Sequence, residues 1–462
     1  MKEIPILTIE NVLHHIKEIT LGSQYENNLY LVGGIVRDEV MGIPAKDDID
    51  IVLEGDAAEL AEFLYQKGIC DHKPVTYPRF GTAMVGINGC CVELVGARKE
   101  NYDPTSRKPS TERGTLKDDI YRRDFTINTL LKNLHTGEVR DITKLGIEDI
   151  ERGIIRTPLE PITTFKDDPL RMLRAVRFAS RFGFEIEPRT YKGICECAHR
   201  LSIISGERIR DEFVKTINSE NPIIGLDMLR ETKLLDEFAP ELSAMHGVMQ
   251  NEFHLYDVWE HSLRALINLP ANSRLNLKLA ALFHDIGKPS TKTIDEDGRI
   301  HFYEHQKLSE AISRKILHRL KFSNADIDEV SFLVGMHMRV GQYNDKWTNT
   351  AIRRLVRESG DHLKDLIILT EVDRLAANTE LLILDLDNFS KHVKSATKKL
   401  KGGIKSPLDG KEIIEISGIS EGPTIGKLKH LLEEAVIEGE LYPDEKNKAA
   451  QLIKDALKNQ TF

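Results

Sequence analysis

The sequence predicts an α+β fold, with a mixed sheet flanked by helices at the N-terminal end and an all-helical remainder. Short apolar or alternating runs separated by turn signals are confined to about the first 150 residues. Beyond them, stretches rich in Leu, Ala, Arg, Glu and Lys at helical spacing run to the end of the chain. At 462 residues there is material for several packed cores.

The elements follow in order. Leu29–Val32 is an apolar run that stops at Gly33-Gly34, with helical sequence from Ile35. Asp48–Leu53 alternates with period two, as a half-buried strand does. Ala57–Gln66 reads as a helix. Thr82–Ile87 and Cys91–Val95 read as two strands around an Asn88-Gly89 turn. In the helical part, breaks are expected at Glu185–Pro188, Asn221-Pro222, Asp295–Gly298 and Gly402–Pro407. The expected divisions are a head at 1–140, a neck at 141–215, a body at 216–384 and a tail at 385–462.

Composition narrows the function. Lys and Arg total 64 against 73 Asp and Glu, a net charge of −9, which excludes a uniformly basic nucleic-acid coat. It leaves room for local basic faces. Residues 391–405 hold six lysines and no acid, and 171–192 hold five arginines and one lysine against two glutamates. Each run alone reads as a solvated helix face; together, on an acidic chain, they favour a phosphate-tracking surface. No apolar run reaches membrane-spanning length, and Met1–Pro5 carries no apolar signal segment, so a cytoplasmic protein is expected. Five cysteines are too few for a disulfide framework, and reduced thiols are expected. The sequence carries no signal of oligomeric state.

The strongest chemical signal is Gly33-Gly34-x-x-Arg37-Asp38 followed by Asp48-x-Asp50. A strand that ends in two glycines and opens a helix lets backbone N–H groups approach a polyphosphate. Residues i and i+2 of a strand share a face, so Asp48 and Asp50 project together, while Asp47 points to the other side. Paired carboxylates beside a phosphate site suit Mg²⁺. Glu93 is either a third carboxylate or the structural partner of Arg98.

These motifs resemble the bacterial (class II) tRNA nucleotidyltransferases, the CCA-adding enzymes, and their poly(A) polymerase relatives. The likeness extends along the chain. Arg98–Tyr102 resembles the start of a flexible loop that runs to about Leu116, and Arg122-Arg123-Asp124-x-x-x-Asn128 resembles the ribose-recognition motif. Asp141–Gly146 and Asp149–Thr157 resemble the hinge between head and neck, and Gly206–Ile209 a last neck motif. Asp167-Asp168-Pro169-Leu170-Arg171 resembles the base-recognition motif, with Asp167 where Glu is usual. The resemblance implies Asp48 and Asp50 as catalytic, magnesium-holding residues. It implies nucleotide binding by Gly33, Gly34, Arg37, Arg123, Asp124, Asn128, Asp168 and Arg171. A carboxylate accepts from an exocyclic amine and a guanidinium donates to ring acceptors, so Asp168 and Arg171 can read cytosine and adenine alike. For Arg174, Arg177 and Arg181, on the same helix face, a salt-bridged surface competes with an RNA-facing role.

A second constellation, His261, His284-Asp285 and Asp373, has the order of HD-type phosphohydrolases, with His305 and His337 placed as ligands of a second ion. This HD segment is expected at about 250–380 within the helical body. Imidazoles with carboxylates suit a divalent transition metal. His254, His301 and His318 are read as core or capping residues.

The reaction implied is addition of CCA to tRNA 3′ ends from CTP and ATP, with tRNA as partner and no membrane. An A-adding or otherwise partial enzyme and a poly(A) polymerase are the near alternatives. The alternative of another class is an HD phosphohydrolase or nucleotide sensor whose head only binds ligand.

Overall fold

The computed structural model describes residues 6–44, 49–101, 110–377, 385–400 and 403–459. They form two compact units, 1–240 with 319–321, and 241–318 with 322–462.

Nine strands open the first unit: β1 (Leu29–Val32), β2 (Ile49–Leu53), β3 (Val75–Tyr77), β4 (Thr82–Ile87), β5 (Cys90–Gly96), β6 (Arg98–Asn101), β7 (Ser110–Arg113), β8 (Leu131–Asn133) and β9 (Val139–Arg140). Seven make one sheet, ordered β3-β4-β5-β2-β1-β8-β9, and β6 pairs with β7 apart from it. Within that sheet β2 and β5 run parallel and the other neighbours antiparallel. Asn88 (φ 52°) and Gly89 (φ 77°) occupy the left-handed region, so the expected Asn-Gly dipeptide is a tight hairpin turn between β4 and β5.

The sheet's two faces differ. Ile49, Ile51, Leu53, Ala83, Val85, Val92 and Leu94 point to one side and are buried. Helices Ile6–Thr20 and Ala57–Gln66 pack there, the second capped by Asp56, which accepts from Ala58 N at 2.8 Å. On the other face Tyr30, Val32, Val52, Val95 and Ala97 are covered by Ile120 of helix Leu116–Tyr121. That helix starts at a Thr115/Asp118 capping box. Beyond its cover the same face carries Asp50 and Glu93.

After residue 150 helices dominate, with two small departures. Ile154–Ile155 pairs with Glu185–Ile186, and Lys292–Ile294 pairs with Ile300–Phe302. The Asp295–Gly298 segment expected to break a helix is the turn of this second hairpin, with Gly298 at φ 79°. In the first unit, helix Leu170–Phe182 packs on helices Gly206–Ile217 and Pro222–Glu231 and stops at Gly183, φ 68°.

In the second unit, helices Val258–Ile267, Leu275–Phe283, Asn324–Gly341 and Leu363–Ala376 pack together. Toward the C-terminus, helices Gly410–Ser417, Pro423–Glu438 and Lys446–Asn459 enclose their own core of Ile413, Leu428, Leu432, Val436 and Ile453. Lys391, Lys394, Lys398 and Lys399 are exposed. None of the five cysteines is in a disulfide. Among the described residues no helix is long and apolar enough to cross a membrane.

Candidate active site and metal centre

In the first unit the site grows from the junction of β1 and helix Gly34–Val40. Gly33 precedes this helix with φ 78° and ψ −133°, a backbone state a side chain would strain. A methyl group there would lie 3.5 Å from Asp50 Oδ2 and 3.6 Å from Arg123 Nη1. Gly33, Asp50 and Arg123 are thus brought together, and a methyl on Gly34 would meet Arg37 Nη2 at 3.5 Å. Asp48 lies outside the described residues. Glu93 stands directly opposite Asp50 across the β2–β5 pair, and side chains in such a pair share a face. Glu93 makes no ion pair among the described residues, whereas Arg98 donates to the Phe80 carbonyl.

Charge is densely compensated around this point. Arg37 is buried and bonds Asp38 Oδ1 through Nε (2.8 Å) and Nη2 (2.6 Å), and Asn128 Oδ1 through Nη1 (2.6 Å). Asn128 Nδ2 in turn donates to Asp124 Oδ1 at 2.9 Å. Asp124 Oδ2 accepts from Arg174 Nε (2.8 Å) and Nη2 (2.5 Å). Burial alone would raise the Asp124 carboxyl, but the Arg174 charge and these hydrogen bonds hold it well below the usual carboxylate range. Arg122 and Arg123 both pair with buried Asp119, Arg123 at 3.0 Å.

Helix Leu170–Phe182 supplies the neighbouring wall. Asp168 Oδ1 accepts from Leu170 N (3.1 Å) and Oδ2 from Arg208 Nη2 (3.2 Å). Arg171 Nη2 donates to the Arg122 carbonyl at 2.7 Å, which ties the Asp168/Arg171 pair to the Arg122–Asn128 segment. The other three arginines of this face are ion-paired: Arg174 with Asp124, Arg177 with Glu212 (2.7 Å) and Arg181 with Asp38 (3.5 Å). Their guanidiniums lie over Phe178 or Phe182, as does that of Arg37. Arg174, Arg177 and Arg181 are thus each engaged in an ion pair.

The second unit holds a different cluster. His261, His284 and Asp373 place ligand atoms within 4.8 Å of one another, and so do Asp285, His305 and His337. Asp285 stands between the two groups. Its Oδ2 lies 3.5 Å from His261 Nε2 and 3.3 Å from His284 Nε2; its Oδ1 lies 3.2 Å from His305 Nε2 and 3.9 Å from His337 Nε2. Asp373 Oδ1 is 3.0 Å from His261 Nε2.

The outer hydrogen bonds fix the rings. Nδ1 of His261, His284, His305 and His337 faces the carbonyl of Ala376 (3.3 Å), Ala281 (2.8 Å), Phe302 (2.9 Å) and Val334 (2.7 Å). A carbonyl only accepts, so each Nδ1 carries a proton and each Nε2 points inward. Four inward Nε2 atoms beside two carboxylates fit a divalent metal centre, which would take the place of any proton held there. Asp285 Oδ2, buried, has no partner of hydrogen-bonding geometry, although Lys288 Nζ stands 2.6 Å away. Burial pushes His337 down to about 3, while His284, despite burial, is raised to about 10 between Asp285 and Asp373. The Asp373 side chain remains 31% exposed and marks the side from which the centre is reached.

Three family models match in order: the poly A polymerase head domain over 29–156, the probable RNA- and SrmB-binding site of polymerase A over 183–245, and the HD domain over 253–378. The chain is 34% identical over 340 residues to an A-adding tRNA nucleotidyltransferase of Deinococcus radiodurans, a match covering 71% of this chain and 76% of that one. The chain belongs to the class II tRNA nucleotidyltransferase family. Within that family it is also 30% identical over 373 residues to a CC-adding tRNA nucleotidyltransferase of Thermus thermophilus, covering 77% of this chain and 80% of the relative. A Bacillus stearothermophilus CCA-adding enzyme in complex with CTP has the same fold, with TM-score 0.68 at 24% identity over 100% of this chain and 99% of that one. The chain is a tRNA nucleotidyltransferase, and its relatives divide by which bases they add.

Two groups at the HD centre escape the sequence reading of this nucleotidyltransferase. Lys288 forms an ion pair with Asp285 and donates to Gln250 Oε1 (2.7 Å), and its one legible trace is the i, i+3 spacing from Asp285. His254, expected to be inert, packs edge-on against His261 with ring centroids 5.0 Å apart, held by Asn251 at 2.9 Å.

Proposed function

We propose that this nucleotidyltransferase adds the full CCA sequence, taking CMP twice and AMP once from CTP and ATP without a nucleic-acid template. The observation that carries the reading is the bond from Arg171 to the Arg122 carbonyl, which couples a base-reading pair to the segment that would hold the ribose. Asp168 and Arg171 serve the base edge, and Arg123 with the Asn128–Asp124 network shapes the sugar pocket. Arg37 holds that network in place through Asn128.

Carboxylate oxygens from Asp50, with Asp48, would hold Mg²⁺, which would activate the acceptor hydroxyl and steady the leaving pyrophosphate. Gly33 and Gly34 leave room for the triphosphate beside them. In the HD centre, His261, His284, Asp285, His305, His337 and Asp373 would hold a transition metal, and Lys288 would steady a phosphate oxygen. That donor set supports a phosphomonoesterase or cyclic phosphodiesterase acting on damaged RNA ends. The exposed lysines at 391–399 supply phosphate contacts to the tRNA.

The test uses tRNA transcripts ending before CCA, after C and after CC, each with CTP, ATP or both. Full CCA addition predicts that all three are completed and that unrelated RNA is not tailed. Labelling of the CC-ended transcript alone assigns A-addition, long A tails on any RNA assign a poly(A) polymerase, and no label with phosphatase activity that survives Asp50→Ala assigns the HD reading.

A further inference from the structure

Among the described residues, the sheet face that carries Asp50 extends past it as an uncovered surface. Paired strand residues share a face, and the registers place Val75, Met84, Glu93 and Asp50 in one row across β3, β4, β5 and β2. Adjacent strands are about 4.8 Å apart, so Met84 stands roughly 10 Å from Asp50 and Val75 roughly 14 Å. Toward β1, Gly33 and Arg123 close in on Asp50. Toward β3 the row stays open, with Val75 47%, Met84 37% and Tyr77, two residues along the edge strand, 41% exposed. Exposed apolar side chains on successive strands, flanked by exposed Lys73 and Arg79, are an uncommon solvent face for a charged chain.

In-line displacement at phosphorus needs the attacking and leaving oxygens on opposite sides. If the triphosphate lies on the Gly33 side of Asp50, the attacking hydroxyl arrives from the Glu93 side, over β5 and β4. We infer that Val75, Tyr77 and Met84 form the shelf on which the terminal nucleoside of the RNA acceptor rests while its 3′-hydroxyl reaches Asp50. A span of roughly 10 Å suits a ribose near Glu93 and a base over Met84 and Tyr77. Apolar and aromatic contacts of this kind accept any base, which an enzyme needs when its acceptor end changes after every addition. Lys73 and Arg79 flank the shelf where the preceding phosphates would run.

This inference rests on the head being the nucleotidyl-transfer site, and its test separates the two. Met84→Asp and Val75→Asp put a carboxylate under the acceptor, and Met84→Leu keeps the apolar surface. Single-nucleotide incorporation is measured against acceptor and CTP concentration, using a transcript ending before CCA. The expected result is an acceptor KM raised about tenfold in the Asp variants, the scale of one lost stacked base, with the CTP KM within about twofold and Met84→Leu close to wild type. A 4-thiouridine at the acceptor's last position should crosslink to a peptide within 73–93. Unchanged acceptor KM in both Asp variants, or a crosslink mapping elsewhere, overturns the shelf. Undiminished incorporation by Asp50→Ala overturns the placement of the reaction itself.

Discussion

The head and the HD centre both gather carboxylates, yet they are built on opposite principles. On the sheet, Asp50 and Glu93 face outward in strands, and the buried charges around them are mutually satisfied: Arg37 by Asp38, Arg174 by Asp124, Arg122 and Arg123 by Asp119. In the helical unit, six ligand residues converge, and four imidazoles are pinned by backbone carbonyls with their Nε2 atoms inward. The first arrangement suits an ion that arrives with the nucleotide's phosphates, since magnesium keeps few protein ligands. The second suits a preformed cage that would retain a metal between turnovers. The two donor sets thus suit different modes of metal binding, one completed by substrate and one by the protein.

The sharpest way to break that contrast is to remove one carboxylate from each. Asp50→Ala should lower nucleotide incorporation at least about a thousandfold, roughly 4 kcal/mol of transition-state stabilisation. The metal bound by purified protein, measured by elemental analysis, should stay as in wild type. If Asp50→Ala empties the chain of tightly bound metal, the division of roles is wrong. Asp285→Ala should do the reverse: at least about a tenfold loss of retained metal, since Asp285 touches both halves of the cage, with CMP incorporation unchanged.

Gly33→Ala sharpens the picture of the substrate-completed site. The substitution forces a side chain into φ 78°, ψ −133° and points a methyl at Asp50 and Arg123. A cost of about 1–3 kcal/mol follows from the strained backbone. The effect should fall on the nucleotide KM and on thermal stability together. A variant as stable as wild type with normal nucleotide KM would mean that the triphosphate does not lie along this turn.

How far the sequence revealed these sites depends on how local their determinants are. The Gly33-Gly34 turn, the Asn88-Gly89 hairpin and the apolar helix ending in His284-Asp285 are written in neighbouring residues. They could be read because turn chemistry and strand alternation act over a few positions. Short β3, with all three of its residues exposed, alternates over too few positions to announce a strand, and the Lys292–Phe302 hairpin hid behind a turn that reads equally well as a helix break. The row joining Val75 to Asp50 exists only once four strands have found their register. Likewise the pairing of Arg174 with Asp124, 50 positions apart, is a tertiary event that helix periodicity cannot announce.

That pair yields the finest test of the head's electrostatics. Breaking a fully buried ion pair costs about 3–5 kcal/mol, but roughly a third of the Arg174 side chain is exposed, so Arg174→Ala should cost nearer 2 kcal/mol. The pH dependence has a definite sign. Asp124 has its pKa depressed on folding, so its folded form binds fewer protons than its unfolded form. Its contribution is present above the ordinary carboxylate value of 3.8 and is lost as pH falls from there toward the depressed value. Urea unfolding at pH 6 and at pH 3 should therefore show the gap between wild type and Arg174→Ala narrowing at the lower pH. Because Asn128 connects Asp124 to Arg37, the variant should also raise the nucleotide KM while leaving retained metal unchanged. A gap that widens as the solution is acidified would mean that Asp124 is protonated beside Arg174, and the chain of charges from Arg37 to the arginine-bearing helix would have to be redrawn.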